Sequence, residues 1–158
     1  TISQEKQKES VDVRESLQEV IASYEILAKA KNIQMDIIME ETCFVYINRE
    51  ALQKVFSNIL SNAIHYTTEG KRIRICMLDG KIGIENECTP LSEEVLSQIF
   101  KAFYRPDFSR NKKDGGTGLG LYIVHDILTH ASIDFSFVPS ELGMKFTIEC
   151  PNDQHVES

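Results

Sequence analysis

The chain has 158 residues, 42% of them hydrophobic and 26% charged, with a net charge of −7. This is enough chain for one globular domain with a real core, and the balance excludes a disordered or fibrous class. The acidic surplus argues against a nucleic-acid surface, and no run approaches the ~18 apolar residues of a membrane helix.

No secretory leader is visible. The chain opens at Thr1 without a methionine and reads as a piece of something longer. Cys43, Cys76, Cys88 and Cys150 form no C-x-x-C pair and have no histidine at metal spacing, which argues against zinc. Three of them sit in strand-like runs and read as small buried hydrophobes in a reducing compartment.

Residues 1–11 are polar and read as a linker or the end of a preceding helix. Asp12 and Glu15 have capping-box spacing, and Leu17, Val20, Ile21, Tyr24, Ile26 and Leu27 form a helical stripe ending near Lys31. Strands follow at Ile33–Ile37 and Cys43–Ile47. Asn48 can cap a helix from Arg49 to about Tyr66. Arg72–Leu78 alternates, Asp79-Gly80 turns, and Lys81–Asn86 returns as a hairpin. Ser92 caps a short helix ending near Phe100–Phe103, and a second long helix contains Leu121, Val124 and Leu128. Strands at Ile133–Val138 and Met144–Glu149 complete an α+β chain: helices laid on one face of a mixed, mostly antiparallel sheet.

The run Asp114-Gly115-Gly116-Thr117-Gly118-Leu119-Gly120-Leu121 leads straight into that second long helix. Unpaired N–H groups and the helix dipole make such a turn a site for anionic oxygens; the alternative is a loop that happens to precede a helix. No Gly-Lys-Ser/Thr ending makes it a P-loop, and no strand precedes it as a dinucleotide fingerprint requires. Arg105, Arg110, Lys112 and Lys113 outnumber Asp107 and Asp114 just before it, a basic segment in an acidic chain. That pairing suits a polyphosphate, against the alternative of a solvated loop.

A second constellation lies on the helix after Asn48. Leu52, Phe56, Ile59 and Ala63 share a core face, and Lys54, Asn58, Asn62 and His65 fall beside it. Two mid-helix asparagines cost stability unless their amides are used, although an exposed polar face would tolerate them. Used, their oxygens suit Mg²⁺ already balanced by nucleotide phosphates.

Together these pieces resemble, over residues 12–150, the ATP-binding domain of bacterial sensor histidine kinases, the Bergerat-fold group shared with gyrase, MutL and the heat-shock chaperone ATPase. Asn58-x-x-x-Asn62-Ala63-x-x-Tyr66 is similar to the family's N box, and Glu85-Asn86 with Pro90-Leu91 to its first glycine box. Phe100-x-x-Phe103-Tyr104-Arg105 is similar to its F box, and Gly116-Thr117-Gly118-Leu119-Gly120-Leu121 to its second glycine box.

The resemblance implies a two-layer α/β sandwich, with about five strands covered on one face by three helices and with Tyr104–Gly115 as an ATP lid. Residues 151–158 are then a polar tail. Asn62 and Asn58 would hold Mg²⁺ on ATP, His65, Tyr66, Asn86 and Leu91 would line the nucleotide, and Arg105 and Arg110 would contact phosphate. Gly116, Gly118 and Gly120 would cradle phosphates beside Thr117, Leu119 and Leu121. Asn58, Asn62 and Arg105 would be the catalytic set.

The adenine end departs from the family: Asn86, Cys88 and Pro90 stand at the positions of its D-x-G-x-G, and Met144 where related ATPases often have a threonine. An amide at Asn58 cannot act as general base, which favours phosphoryl transfer over hydrolysis. The expected reaction is transfer of the γ-phosphoryl group to a histidine. His65, His125, His130 and His155 lack phosphoacceptor surroundings, so that histidine is expected on a dimerisation helix pair outside this chain. A response regulator is the expected next partner, with a homodimer in the full-length protein, a monomer for this piece, and a cytoplasmic position on a membrane-bound kinase. A nucleotide-gated ATPase module and a non-binding scaffold remain the alternatives.

Overall fold

In the structure, a computed structural model that describes residues 7–100 and 117–151, the same device starts both long N-terminal helices. Asp12 accepts the Glu15 N–H at 3.1 Å to begin α1, Val13–Ala30. Asn48 accepts the Ala51 N–H at 2.9 Å to begin α2, Arg49–Tyr66. Each side chain satisfies an amide that the first helical turn leaves without a partner.

The five-stranded sheet takes β2 (Gln34–Met39), β4 (Arg72–Leu78), β5 (Lys81–Glu87), β7 (Gly143–Glu149) and β6 (Phe135–Pro139), in that spatial order. β2 runs parallel to β4, and every other pairing in it is antiparallel. Asp79 and Gly80, with φ of 55° and 72°, make the tight β4–β5 turn, where both residues must sit in the left-handed region. One sheet face presents Ile73, Ile75, Met77, Ile82, Ile84, Phe146 and Ile148, all buried, to the helices. The other carries Arg74, Glu85 and Lys145. This is the expected two-layer α+β sandwich. Helix α4 (Thr117–His130) lies beside α2 and buries Leu121, Val124 and Leu128, while α3 (Glu93–Leu96) is a single capped turn. Each large apolar side chain so buried contributes roughly 1.5–3 kcal/mol.

Four expectations need correction. Residues 8–11 are not linker or helix end: with the cap Asp12 they form β1 (Lys8–Asp12), antiparallel to β3 (Phe44–Asn48) in a separate two-stranded sheet. Alternation in β3 buries Val45 and Ile47, and β1 satisfies its backbone and adds Val11 to the core. On α1, Ile26 is 81% exposed, because nine residues past Leu17 it stands on the opposite side of the helix; Ser16 and Ala28 take the core positions. The helix after Ser92 ends at Leu96, short of Phe100.

The cysteines were not all to be read as isolated hydrophobes: Cys43 and Cys150 form a disulfide. The β4–β5 turn brings them together. Glu41 accepts the Asp79 N–H at 3.0 Å from one side, and the Cys150 N–H donates to the Gly80 carbonyl at 2.8 Å from the other.

Candidate functional site

The second half of α2, the ends of β5 and β7, α3 and the first turns of α4 enclose a cavity of about 450 Å³. Its walls are Ile59, Ala63, Ile84, Leu121, Met144 and Phe146, an apolar slot suited to a flat ring. Asn62, Tyr66, Thr68 and Asn86 bring polar atoms to it. Among the described residues no carboxylate lines it.

Asn62 is 7% exposed, and its Oδ1 is buried with no hydrogen-bond partner among the described residues. A buried acceptor left unpaired costs about 1–3 kcal/mol, so its presence on the cavity wall points to a donor or cation supplied by a ligand. Asn58, one turn earlier, is half-buried and does not reach the cavity lining; its backbone carbonyl accepts the Ser61 hydroxyl at 3.2 Å. His65 is also off the lining, with its ring edge-on to Tyr66 at 4.6 Å between centroids, whereas Tyr66 itself faces the cavity.

The end of α2 is fixed by two groups. Thr67 donates its hydroxyl to the Ala63 carbonyl at 2.6 Å, and Lys31 Nζ, from the end of α1, donates to the carbonyls of Ile64 and His65 at 2.7 Å each. Burial pushes the Lys31 ammonium below its ordinary pKa, and Glu69 pulls the other way.

Asn86 is 5% exposed on the inner face of β5. Strand alternation sends its neighbour Glu85 to the outer face, where it meets Arg74 at 3.5 Å and accepts the Leu142 N–H at 3.2 Å. Cys88 lines the cavity beyond Asn86, its thiol pushed up by burial, with hydrogen bonds from the Asn86 side chain and the Met144 backbone opposing. Leu91 lines it too and donates its N–H to the Met144 sulfur at 3.4 Å.

Leu121, Leu91, Tyr66, Asn62 and Asn86 are therefore brought together. Thr117, Gly118, Leu119 and Gly120 form the first turn of α4, whose backbone alone is described. Tyr104, Arg105, Arg110, Gly116 and the Tyr104–Gly115 segment lie outside the described residues.

The sequence did not single out Gly143 or Lys31. Gly143 abuts the Asn86–Cys88 backbone so closely that a Cβ there would stand 2.6 Å from the Cys88 nitrogen and 2.8 Å from its carbonyl oxygen. The signal was available in Ser140-x-x-Gly143, a tight connection into β7. Phe100 packs its ring against Phe135 and Phe146 at 5.7 and 6.3 Å and against His125 at 5.8 Å, so this first residue of the F-box-like run anchors α3 to the sheet.

Residues 47–154 match the family model described as histidine kinase-, DNA gyrase B- and HSP90-like ATPase. The chain is 36% identical over 141 residues to sensor histidine protein kinase HK06 of Streptococcus pneumoniae, covering 89% of this chain and 32% of that protein. It is 30% identical over 149 residues to the sensor histidine kinase CusS of Escherichia coli, covering 92% of this chain and 31% of that protein. The chain thus spans about a third of the length of these relatives. Among solved structures, the catalytic domain of histidine kinase ThkA superposes with a TM-score of 0.73 at 26% identity, covering 90% of this chain and 97% of that one. An amide-lined cavity under a one-sided sheet and a match over more than half the sequence lead to one conclusion: the chain belongs to the histidine kinase-, DNA gyrase B- and HSP90-like ATPase family and is an ATP-binding domain of the histidine-kinase type.

Proposed function

We propose that this chain binds Mg²⁺-ATP and transfers its γ-phosphoryl group to a histidine outside the chain, as the catalytic unit of a sensor histidine kinase. The observation that carries this reading is the buried, unpartnered Asn62 Oδ1 on the wall of the apolar cavity. A neutral amide oxygen suits a hard cation whose charge the phosphates already balance. Asn62, with Asn58 on the same side of α2, would hold Mg²⁺, which neutralises charge developing on the phosphates.

The slot between Ile84 and Met144 takes the base, with Asn86 at its end, and Tyr66 and Leu91 border it. Arg105, Arg110 and Tyr104 of the lid, with Gly116, Thr117, Gly118, Leu119 and Gly120, meet the phosphates, and His65 flanks them. In the transfer, the bond from the γ-phosphorus to the β–γ bridging oxygen breaks and a phosphorus–nitrogen bond forms on the acceptor imidazole, which gives up its proton while ADP leaves. The lack of a carboxylate among the described lining residues favours transfer over hydrolysis, because an amide cannot take a proton from water near neutral pH.

The acceptor would sit on a dimerisation helix pair of the full-length homodimer, with relay to an aspartate of a response regulator. The histidine kinase ThkA has been solved with the response regulator TrrA. No helix among the described residues is long and apolar enough to cross a membrane, and the proposed setting is the cytoplasmic side of a membrane-bound kinase.

Isothermal calorimetry with ATP, with and without Mg²⁺, tests the reading directly. Mg²⁺-dependent binding is expected, and no heat at millimolar nucleotide would remove it. Adding the full-length protein's helix pair should then give an acid-labile, base-stable phosphoprotein.

A further inference from the structure

The base end of the cavity is read by a neutral carboxamide. Asn86 is 5% exposed, lies between Ile84 and Cys88, and faces the slot, while the carboxylate beside it in sequence is held on the far side of the sheet by Arg74. A carboxylate could only accept hydrogen bonds. A carboxamide carries an acceptor and two donors on one planar group, and a half-turn about its last bond exchanges them.

Purines differ at the same edge. Adenine offers an amino donor at its 6-position, whereas guanine and hypoxanthine offer a carbonyl acceptor. We infer that Asn86 makes this cavity ambivalent toward purines, so that 6-oxopurine nucleoside triphosphates bind alongside ATP. The amide oxygen turns toward the adenine amino group, and the amide NH₂ turns toward the 6-oxo group. This inference rests on the reading of the cavity as a base pocket.

Two features of the surroundings leave the amide free to serve both. The Asn86 amide donates to the Cys88 sulfur, and because a thiol is a weak donor as well as a weak acceptor, that contact survives a half-turn of the amide with its direction reversed. The apolar walls at Ile59, Ala63, Ile84 and Met144 receive either ring by contact that does not distinguish an amino from an oxo substituent. A site with a fixed acceptor would reject the oxo form sharply, because two acceptors would then face each other without a proton between them.

The test is calorimetric binding of ATP and inosine triphosphate to this chain at fixed Mg²⁺, with Asn86→Asp as the second arm. In the wild type, inosine triphosphate should bind within about tenfold of ATP, and Asn86→Asp should widen the gap by at least about tenfold by weakening the oxo nucleotide. A larger gap in the wild type, or a gap that Asn86→Asp leaves unchanged while ATP still binds, overturns the inference. If neither nucleotide binds, the base-pocket reading fails and takes the inference with it. If Asn86→Asp does not fold, Asn86→Leu replaces it: equal weakening of both nucleotides is expected, and selective loss of ATP would overturn the inference.

Discussion

Lys31 donates from Nζ to the carbonyl oxygen of His65 at 2.7 Å, joining the end of α1 to the last turn of α2. The same ammonium takes the Ile64 carbonyl, so one side chain satisfies two acceptors that the helix end leaves open and opposes the negative end of its dipole. Tyr66, which borders the cavity, follows directly. Lys31→Met keeps the packed stem and removes the charge. It should cost about 1–2 kcal/mol of stability, visible as a lower Tm, and should weaken ATP binding by displacing Tyr66.

Asn62→Leu separates binding from folding. Among the described residues the amide oxygen has no partner, so an apolar side chain of similar volume removes a desolvation cost. Thermal stability should hold or rise by about 1 kcal/mol, while Mg²⁺-dependent ATP affinity falls by about a hundredfold. Parallel melting and calorimetry check both halves; an unchanged affinity would sink the role given to this residue.

Asp12 makes a pH-dependent contribution. The Thr42 hydroxyl, donating at 2.6 Å, holds its carboxyl below the ordinary carboxylate range; burial opposes this, and the Glu15 N–H adds to it. A carboxyl with a lowered folded pKa contributes stability that is complete above its unfolded pKa and is lost as pH falls through its folded value. Asp12→Ala should cost about 1 kcal/mol near neutral pH, as loss of a helix cap does. Asp12→Asn should keep much of the cap yet flatten the loss of stability between about pH 5 and about pH 3, read from urea melts.

The Cys43–Cys150 disulfide closes a separation of 107 residues. Constraining so long a loop in the unfolded chain is worth about 4.8 kcal/mol in the chain-entropy account. Cys43→Ser should therefore lower the Tm in oxidising buffer and have little effect in the presence of dithiothreitol. ATP affinity should not change in either buffer, since neither cysteine lines the cavity.

Much of this fold was legible because its signals are local. Asn48 as a cap, Arg72–Leu78 as an alternating strand and Asp79-Gly80 as a left-handed turn each depend on residues within a few positions. Leu52, Phe56, Ile59 and Ala63 lie on the buried face that their spacing predicts. The misses differ in cause: Ile26 fits an apolar tally but not the angle of the helix face, which is local, whereas β1 has no meaning until β3 lies beside it.

By itself the sequence determined most of the helices and strands, β1 excepted, and which polar residues stand out of place in them, because capping, turn chemistry and periodicity act along the chain. It also carried the family resemblance, since the boxes are contiguous or nearly so. Tertiary structure alone decided that Asn62 lines the cavity while Asn58 and His65 do not. It also decided that Lys31 secures the end of α2 and that Cys43 meets Cys150. These are contacts between residues up to 107 apart, set by how the helices pack on the sheet, and no local pattern encodes them.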